Sequence, residues 1–372
     1  MKVFHYRLYP TKEQKKNLNR TLELCRWTFN ETLALRKNAW ESEQKNINYY
    51  DSKNMIPVWK KEKPELKTVH SQVLQEVIKR VDLAFQAFFR RVKAGETPGY
   101  PRFKGYGRYD SITYTQSGFE LNSNKLWISK IGDVKIKLHR SFDGEIQRLN
   151  IRKMPTGKWF VSFLIKTESE SLFPKTGLSV GIDVGISSFL TFSDGQQIQN
   201  PRFFVTDEKK LVKAQRKLSK AEKGTIARKK ALKIVQHLHE RISNKREDFI
   251  QKISLNLVKD YDLITFEDLN VKGMIQSHNL AKHIADVAWS KLITITTYKA
   301  EWAGKIVELV NPYNTSQMCS GCGEIVTKNL SERTHSCPFC GLILDRDHNA
   351  AINILRLGIQ SLRETDRCPS LQ

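Results

Sequence analysis

The sequence predicts a multi-domain α/β protein. Three observations lead there. Short alternating segments between residues 112 and 166 read as strands of a small barrel. Buried strand patterns at 178–198, 261–270 and 305–310 are separated by helical stretches. Two CxxC pairs, at 319–322 and 337–340, precede a final helical pattern. A chain of 372 residues is long enough for two or three domains, and 40% hydrophobic content supports a folded chain.

The elements follow in chain order. Residues 2–8, KVFHYRL, alternate as a strand does, and Pro10 with the TxxQ of Thr11 to Gln14 marks a helix start with a capping box. Leu18, Leu22, Cys25, Phe29 and Leu33 fall at helical spacing, and Val73, Val77, Val81, Phe85, Phe88 and Val92 mark a second long helix. Both stripes are expected to be core, with Cys25 acting as a small apolar residue. Lys79, Arg80, Arg90 and Arg91 cover the rest of the second helix, where basic side chains can meet phosphate. ETPGYPRFKGYG at 96–107 then breaks the helix.

Strands are expected around 112–121, 125–128, 134–138, 146–153 and 158–166, with PTG at 155–157 as a hairpin turn. These five plus the N-terminal strand make a small barrel interrupted by the helical pair. After a connector at 167–177, LSVGIDVGISSFLTFSDGQQI reads as a buried strand, a tight glycine turn and a second strand, opening a new domain. Residues 202–250 form a helical insertion with fifteen Lys or Arg against six Asp or Glu, which a solvated hairpin and a nucleic-acid surface fit equally well. YDLITFEDLN at 261–270 is a buried strand ending in acids. A helix around 283–303 and a strand, KIVELV at 305–310, follow.

Lys plus Arg number 62 against 39 Asp plus Glu, a net charge of +23, which points to a polyanionic partner. MKVFHYRLYPTKEQ lacks the apolar core of a signal peptide, and the longest apolar stretch, WFVSFLI at 159–165, is strand-sized. An intracellular chain with no membrane partner is expected, and Cys368, in a polar tail, is given no role.

The remaining cysteines, Cys319, Cys322, Cys337 and Cys340, form CSGC, fourteen residues, then CPFC. Four thiolates from two short knuckles fit one structural, tetrahedral Zn²⁺ with no open position for catalysis. Neither pair lies in a ferredoxin-type cysteine run, which disfavours an iron cluster.

Acids form a second constellation. Asp183 lies in GIDVG at the end of one buried strand, Glu267 in FEDLN at the end of another, and Asp345 and Asp347 just before NAAINIL. Three carboxylates from two strand ends and one helix start can converge on Mg²⁺ or Mn²⁺, and two such ions can activate water and stabilise the leaving oxygen of a phosphodiester. In that order they describe a ribonuclease H-like nuclease site.

GIDVG, HERISNKREDF at 239–249, FEDL, TSQMCSGCG at 315–323, CPFCG and DRDHNAAINI, with RLYPT near the start and PRFKG at 101–105, resemble the TnpB family, transposon-encoded RNA-guided nucleases ancestral to type V CRISPR effectors. The resemblance spans residues 5–356. It implies a split RuvC nuclease domain over 178–314 and 341–356, with Asp183, Glu267 and Asp347 as the catalytic, Mg²⁺-binding acids. Asp347 is preferred over Asp345 because the family's acid directly precedes the xNAA helix. It also implies a WED-like barrel over 1–10 and 98–172, a helical recognition insert over 11–97 and a zinc ribbon over 315–340 that handles target nucleic acid. Residues 357–372 are left as a tail.

Thr115 and Gln116, in YTQS, match a stretch that contacts the flanking motif in the family, although incidental polar residues of a buried strand fit equally well. With Lys79, Arg80, Arg241 and Arg246 they are the candidate nucleic-acid contacts. The implied activity is cleavage of double-stranded DNA beside a short flanking motif, at sites paired with a guide RNA transcribed from the transposon end. One chain per RNA is expected, in the cytoplasm and on the nucleoid when bound to DNA. A transposase acting directly on transposon ends is the first alternative, for which no dimerisation segment or dedicated DNA-reading domain is visible. A nuclease-dead guided repressor is the other, and the three acids argue against it.

Overall fold

The structure, a computed structural model, describes residues 1–167, 173–276, 288–329 and 332–364. The chain forms two compact units, 1–169 and 170–372.

The first unit starts with β1 (Lys2–Tyr9) and α1 (Lys12–Glu43). The Thr11 hydroxyl accepts from Gln14 N at 3.3 Å and Gln14 Oε1 accepts from Thr11 N at 3.0 Å, so the capping box read from TxxQ closes. Short helices α2 (Tyr49–Asn54) and α3 (Ile56–Glu62) and a 3₁₀ turn lead to α4 (Ser71–Lys93). Six strands follow: β2 (Ser111–Tyr114), β3 (Phe119–Asn122), β4 (Lys125–Ile128), β5 (Gly132–Lys137), β6 (Glu145–Lys153) and β7 (Trp159–Lys166).

All pairings are antiparallel, in the order β2-β6-β7-β1-β5-β4-β3. The two edge strands, β2 and β3, are joined by only residues 115–118, so the sheet must curl until its edges nearly meet. Strict alternation fills the interior: Trp159, Val161, Phe163 and Ile165 of β7 are buried together with Tyr6 and Leu8 of β1.

Two expectations are corrected here. The single strand read over 112–121 is two strands, because Gly118 sits at φ +86°, a conformation that glycine takes without strain. The bend is fastened from α4, whose Gln72 Oε1 accepts from Gln116 N at 3.4 Å and Ser117 N at 3.2 Å. The α4 stripe also ends sooner than its spacing implies. Val73, Val77, Val81 and Phe85 are buried, but Phe88 is half-buried, packing edge-on against Tyr100 in the following loop, and Val92 is exposed. The α1 stripe is buried from Leu18 to Leu33, Cys25 included, and burial pushes that thiol up to about 12.

The second unit holds a five-stranded sheet of β8 (Ser179–Val184), β9 (Ser188–Phe192), β10 (Gln197–Gln199), β11 (Leu263–Glu267) and β12 (Ile306–Val310), in the order β10-β9-β8-β11-β12. β8, β9 and β10 form an antiparallel meander, whereas β11 runs parallel to both β8 and β12. A central parallel strand is covered on both faces, and LITFE of β11 is buried at every position.

The helices are α5 (Phe203–Lys220) and α6 (Ile226–Asp260), which pair as a hairpin, then α7 (Val271–Gln276), α8 (Trp289–Trp302) and α9 (Arg346–Glu364). Leu211, Val235 and Ile242 give the hairpin a small core of its own, and the nearly buried Asp207 pairs with Lys245 at 2.7 Å. Among the described residues no helix is long and apolar enough to cross a membrane.

Helix α9 lies directly on the sheet. A Cβ on Gly181 of β8 would stand 2.2 Å from Ala351 O, and one on Gly358 of α9 would stand 2.2 Å from Thr265 Oγ1, so both glycines are required for that approach. This overturns the reading of 357–372 as a tail from its first residue. Residues 357–364 continue α9, with Leu362 buried and Ser361 Oγ donating to Glu308 Oε1 at 2.7 Å. Cys368, the rest of that tail and residues 283–287 of the expected helix lie outside the described residues.

Candidate active site and metal centre

β8 and β11 run parallel with Ile182 opposite Phe266, so the next residues, Asp183 and Glu267, leave adjacent strand ends side by side. Residues level with each other on parallel neighbours share a face. Because α9 rests on Gly181 through Ala351, its first turn brings Asp347 to the same end of the sheet.

The electrostatics register that convergence. Burial, then the negative charges of Glu267 and Asp347, push the Asp183 carboxyl up to about 8, against the opposing pull of Arg346 and the Val184 N–H. Burial likewise raises Glu267, which is 7% exposed, against a hydrogen bond from Thr315 Oγ1 to Glu267 Oε1 at 2.5 Å. The neighbouring guanidinium of Arg346 does not offset the burial and like charge at Asp183, and a hard divalent cation fits this carboxylate donor set.

The fourth acid is used differently. Asp345 Oδ1 accepts from the N–H groups of Asp347 at 2.9 Å and His348 at 3.0 Å, capping α9, and the residue is exposed. Asp347 is half-buried and meets two guanidinium groups: Arg346 donates from Nε at 3.0 Å and Nη2 at 2.9 Å to Oδ1, and Arg333 Nη1 lies 3.3 Å from Oδ2.

The cysteines form a candidate metal centre. All four Sγ atoms lie within 4.8 Å of one another, with Cys319–Cys340 and Cys322–Cys337 both at 3.6 Å. Tetrahedral Zn–S bonds of about 2.3 Å place sulfurs about 3.8 Å apart, so the cluster fits one zinc ion. Each knuckle turns through a left-handed glycine, Gly323 at φ +86° and Gly341 at φ +75°. The second knuckle caps the hairpin of β13 (Thr334–Ser336) and β14 (Ile343–Asp345), which runs straight into α9.

Two fully buried asparagines seat the first knuckle on that helix. Asn349 Nδ2 donates to Met318 O at 2.8 Å while its Oδ1 accepts from Ser320 N at 2.9 Å. Asn353 Nδ2 donates to Met318 O at 2.7 Å and Thr315 O at 2.9 Å. Thus the sequence sets soft thiolates beside hard carboxylates because one hairpin and one helix carry both, with the two donor sets kept separate.

The nucleic-acid candidates divide. Lys79 and Arg241 are exposed and Arg246 is half-buried. Arg80 is corrected from an outward phosphate contact to an internal brace: its guanidinium donates to Tyr109 Oη at 3.0 Å, Ser111 Oγ at 3.1 Å, Ser111 O at 3.2 Å and Thr113 Oγ1 at 2.7 Å, tying α4 to β2. Thr115 is half-buried and Gln116 exposed, both in the bend between β2 and β3. Sequence reasoning missed Thr315, Arg333, Arg346 and the asparagine pair. The available signal was Asn349 and Asn353 at i and i+4, which places them on one face of α9.

Three family descriptions match along the chain: a helix-turn-helix domain over residues 1–45, a probable transposase over 162–278 and a Cas12f1-like TNB domain over 289–354. In this structure the first of these segments is one strand and one long helix. A Streptomyces pristinaespiralis protein named "Putative RNA-guided DNA endonuclease" is 35% identical over 366 residues, covering 96% of this chain and 89% of that one. The Escherichia coli protein named "Putative RNA-guided DNA endonuclease InsQ" is 31% identical over 380 residues, covering 96% and 92%. A TnpB-like protein of Methanocaldococcus jannaschii is 31% identical over 185 residues, covering 47% of this chain and 66% of that one. Among solved structures, a chain of the "Cas12f1-sgRNA-target DNA complex" superposes with a TM-score of 0.59 at 15% identity, over 92% of this chain and 83% of that one, which is a likeness of fold. Two relatives match almost from end to end, each above 30% identity, and the chain belongs to the TnpB family.

Proposed function

We propose that this protein is an RNA-guided DNA endonuclease of a transposon, cutting double-stranded DNA beside a short flanking motif by metal-dependent phosphodiester hydrolysis. The observation that carries the reading is the placement of Asp183 and Glu267 on adjacent ends of β8 and β11, with Asp347 on the first turn of α9 in the same electrostatic field. An antiparallel meander followed by two parallel strands, with acids at the central strand ends and on a closing helix, supports a ribonuclease H-like, RuvC-type domain. The ribbon splits that domain just before its third acid.

Asp183, Glu267 and Asp347 would hold the divalent cation. Bound there, Mg²⁺ or Mn²⁺ supplies Lewis-acid stabilisation of the phosphodiester and lowers the pKa of an attacking water. Burial, then the charges of Glu267 and Asp347, favour the protonated form of Asp183, and a bound divalent cation would favour its ionised form. Arg346 and Arg333, both paired with Asp347, would supply positive charge and N–H donors to a phosphate beside that carboxylate.

A net charge of +23 supports a long polyanion as partner, a guide RNA together with its DNA target. The curled sheet serves as the WED-like barrel and residues 11–97 as the recognition insert, and one chain binds each RNA. The names and complex of the similar proteins favour the same partners.

The test supplies RNA from the 3′ end of the encoding element, exchanges its guide segment and maps cleavage on a plasmid. Cuts should follow the guide. Cuts that stay in place after the exchange, or that form without RNA, overturn the reading.

A further inference from the structure

Thr315 joins the ribbon to the nuclease site. It is buried, 3% exposed, and stands four residues before the first zinc ligand, Cys319. Its hydroxyl donates to Glu267 Oε1 at 2.5 Å, the only hydrogen bond to that carboxylate among the described residues. Its own carbonyl is fixed by Asn353 Nδ2 at 2.9 Å, and the same amide holds Met318 O. Thr315 therefore has its backbone tied to the helix that carries Asp347 and its side chain tied to Glu267.

We propose that Thr315 is a positioning residue for the nuclease: from the foot of the zinc ribbon it fixes the rotamer of Glu267, so that the seating of the ribbon on α9 and the geometry of the divalent-cation site are one property. The inference rests on the reading of Glu267 as a cation ligand. A free glutamate at a strand end has three side-chain torsions to order when it ligates a cation. A short hydrogen bond to one oxygen selects the rotamer beforehand and leaves the other oxygen for the ion. Arg333 ties the ribbon to Asp347 and Thr315 ties it to Glu267, whereas the thiolate cluster and the carboxylates themselves share no ligand.

Threonine suits this position in a way that a longer donor would not. The hydroxyl also donates within reach of Pro312 O, at 3.1 Å, so its proton can be shared between a carbonyl and the carboxylate without a rotamer change. A lysine or arginine there would neutralise Glu267, whereas the neutral hydroxyl orients the carboxylate and leaves its charge for a cation.

The experiment measures Mn²⁺ binding by electron paramagnetic resonance on the purified full-length chain without nucleic acid, with zinc content determined on each sample. Thr315→Val removes the hydroxyl at nearly constant volume and should weaken Mn²⁺ binding by about tenfold or more, with zinc still at one per chain. Thr315→Ser keeps the hydroxyl and should bind within about twofold of the unaltered protein. Glu267→Gln is the control for the site itself and should lose binding. Unchanged binding in Thr315→Val, with Glu267→Gln defective, overturns the positioning role and leaves the nuclease site standing. Equal loss in Thr315→Ser and Thr315→Val overturns it as well, since shape and not the hydroxyl would then matter, and so does loss of zinc in Thr315→Val. Unchanged binding in Glu267→Gln overturns the site reading and the inference with it.

Discussion

The Asp345 carboxylate accepts a hydrogen bond from the backbone N–H of Asp347 at 2.9 Å, so one acid of the DRD sequence holds the helix start on which the other is presented. Two residues of one chemical type, two positions apart, thereby take different parts. Asp347→Ala should lower cleavage by at least about a thousandfold, because it removes a proposed metal ligand. Asp345→Ala removes a helix cap, costing about 1 kcal/mol, and should keep activity within about tenfold. Plasmid cleavage and urea denaturation of both variants check this. An inactive Asp345→Ala beside an active Asp347→Ala would exchange the two assignments.

Asp183 yields a pH prediction with a definite sign. Burial, then its negative neighbours, push this carboxyl up to about 8 from its ordinary 3.8, so between those limits the folded chain holds a proton that the unfolded chain has released. The contribution of this group to stability is therefore full below the lower value and lost as pH rises toward 8. Without added divalent metal, melting temperature should fall between pH 6 and pH 8. Asp183→Asn, which stays neutral throughout, should flatten that slope and stabilise the protein at pH 8 by on the order of 1 kcal/mol. A variant that melts lower than the parent at pH 8 would contradict the assignment.

The thiolate cluster predicts one zinc per chain in freshly purified protein, lost in Cys319→Ser and Cys340→Ser. Cleavage should still depend on added Mg²⁺, since four protein ligands leave the zinc no open position. Elemental analysis decides the first point and omission of Mg²⁺ from the cleavage reaction decides the second.

Arg80 and Lys79 are neighbours in sequence with opposite expected phenotypes. Arg80→Ala leaves Thr113 Oγ1 and Tyr109 Oη without their guanidinium partner and should cost about 2 kcal/mol in denaturant unfolding. Lys79 is exposed, so Lys79→Ala should change stability by less than about 0.5 kcal/mol and reduce the salt dependence of RNA binding by roughly one phosphate contact. Equal stabilities for the two variants would argue against the brace.

What could be read beforehand follows from how local each signal is. The buried alternation of β7, the capping box at Thr11 and the spacing of the four cysteines are set within a few residues, and each appears in the structure as read. Phe88 and Val92 continue the α4 periodicity, but burial depends on what lies opposite, which a periodic pattern does not encode. Arg80 looked like any basic residue on a helix surface until β2 supplied its acceptors. Thr315 acts across 48 residues of sequence, through a contact that exists only once β11 and the ribbon are in place.

The bend between β2 and β3 gives the last prediction. Its backbone is held by Gln72 and by the left-handed Gly118, which leaves the Gln116 side chain exposed at the point where the barrel's two edge strands approach each other. A polar side chain on a fixed turn can read a base edge, because the turn has already lost its backbone freedom and only side-chain rotamers remain to be ordered. Thr115→Ala with Gln116→Ala should therefore change the preferred flanking motif, costing about 1–3 kcal/mol at the affected base pair. Cleavage of a target melted in advance should be unaffected, because such DNA needs no reading of the flanking duplex before the guide pairs. A library of randomised flanking sequences, cleaved by the parent and by the double variant, measures the preference. An unchanged preference removes both residues from the recognition surface, and a loss on melted DNA as well places them in folding or catalysis instead.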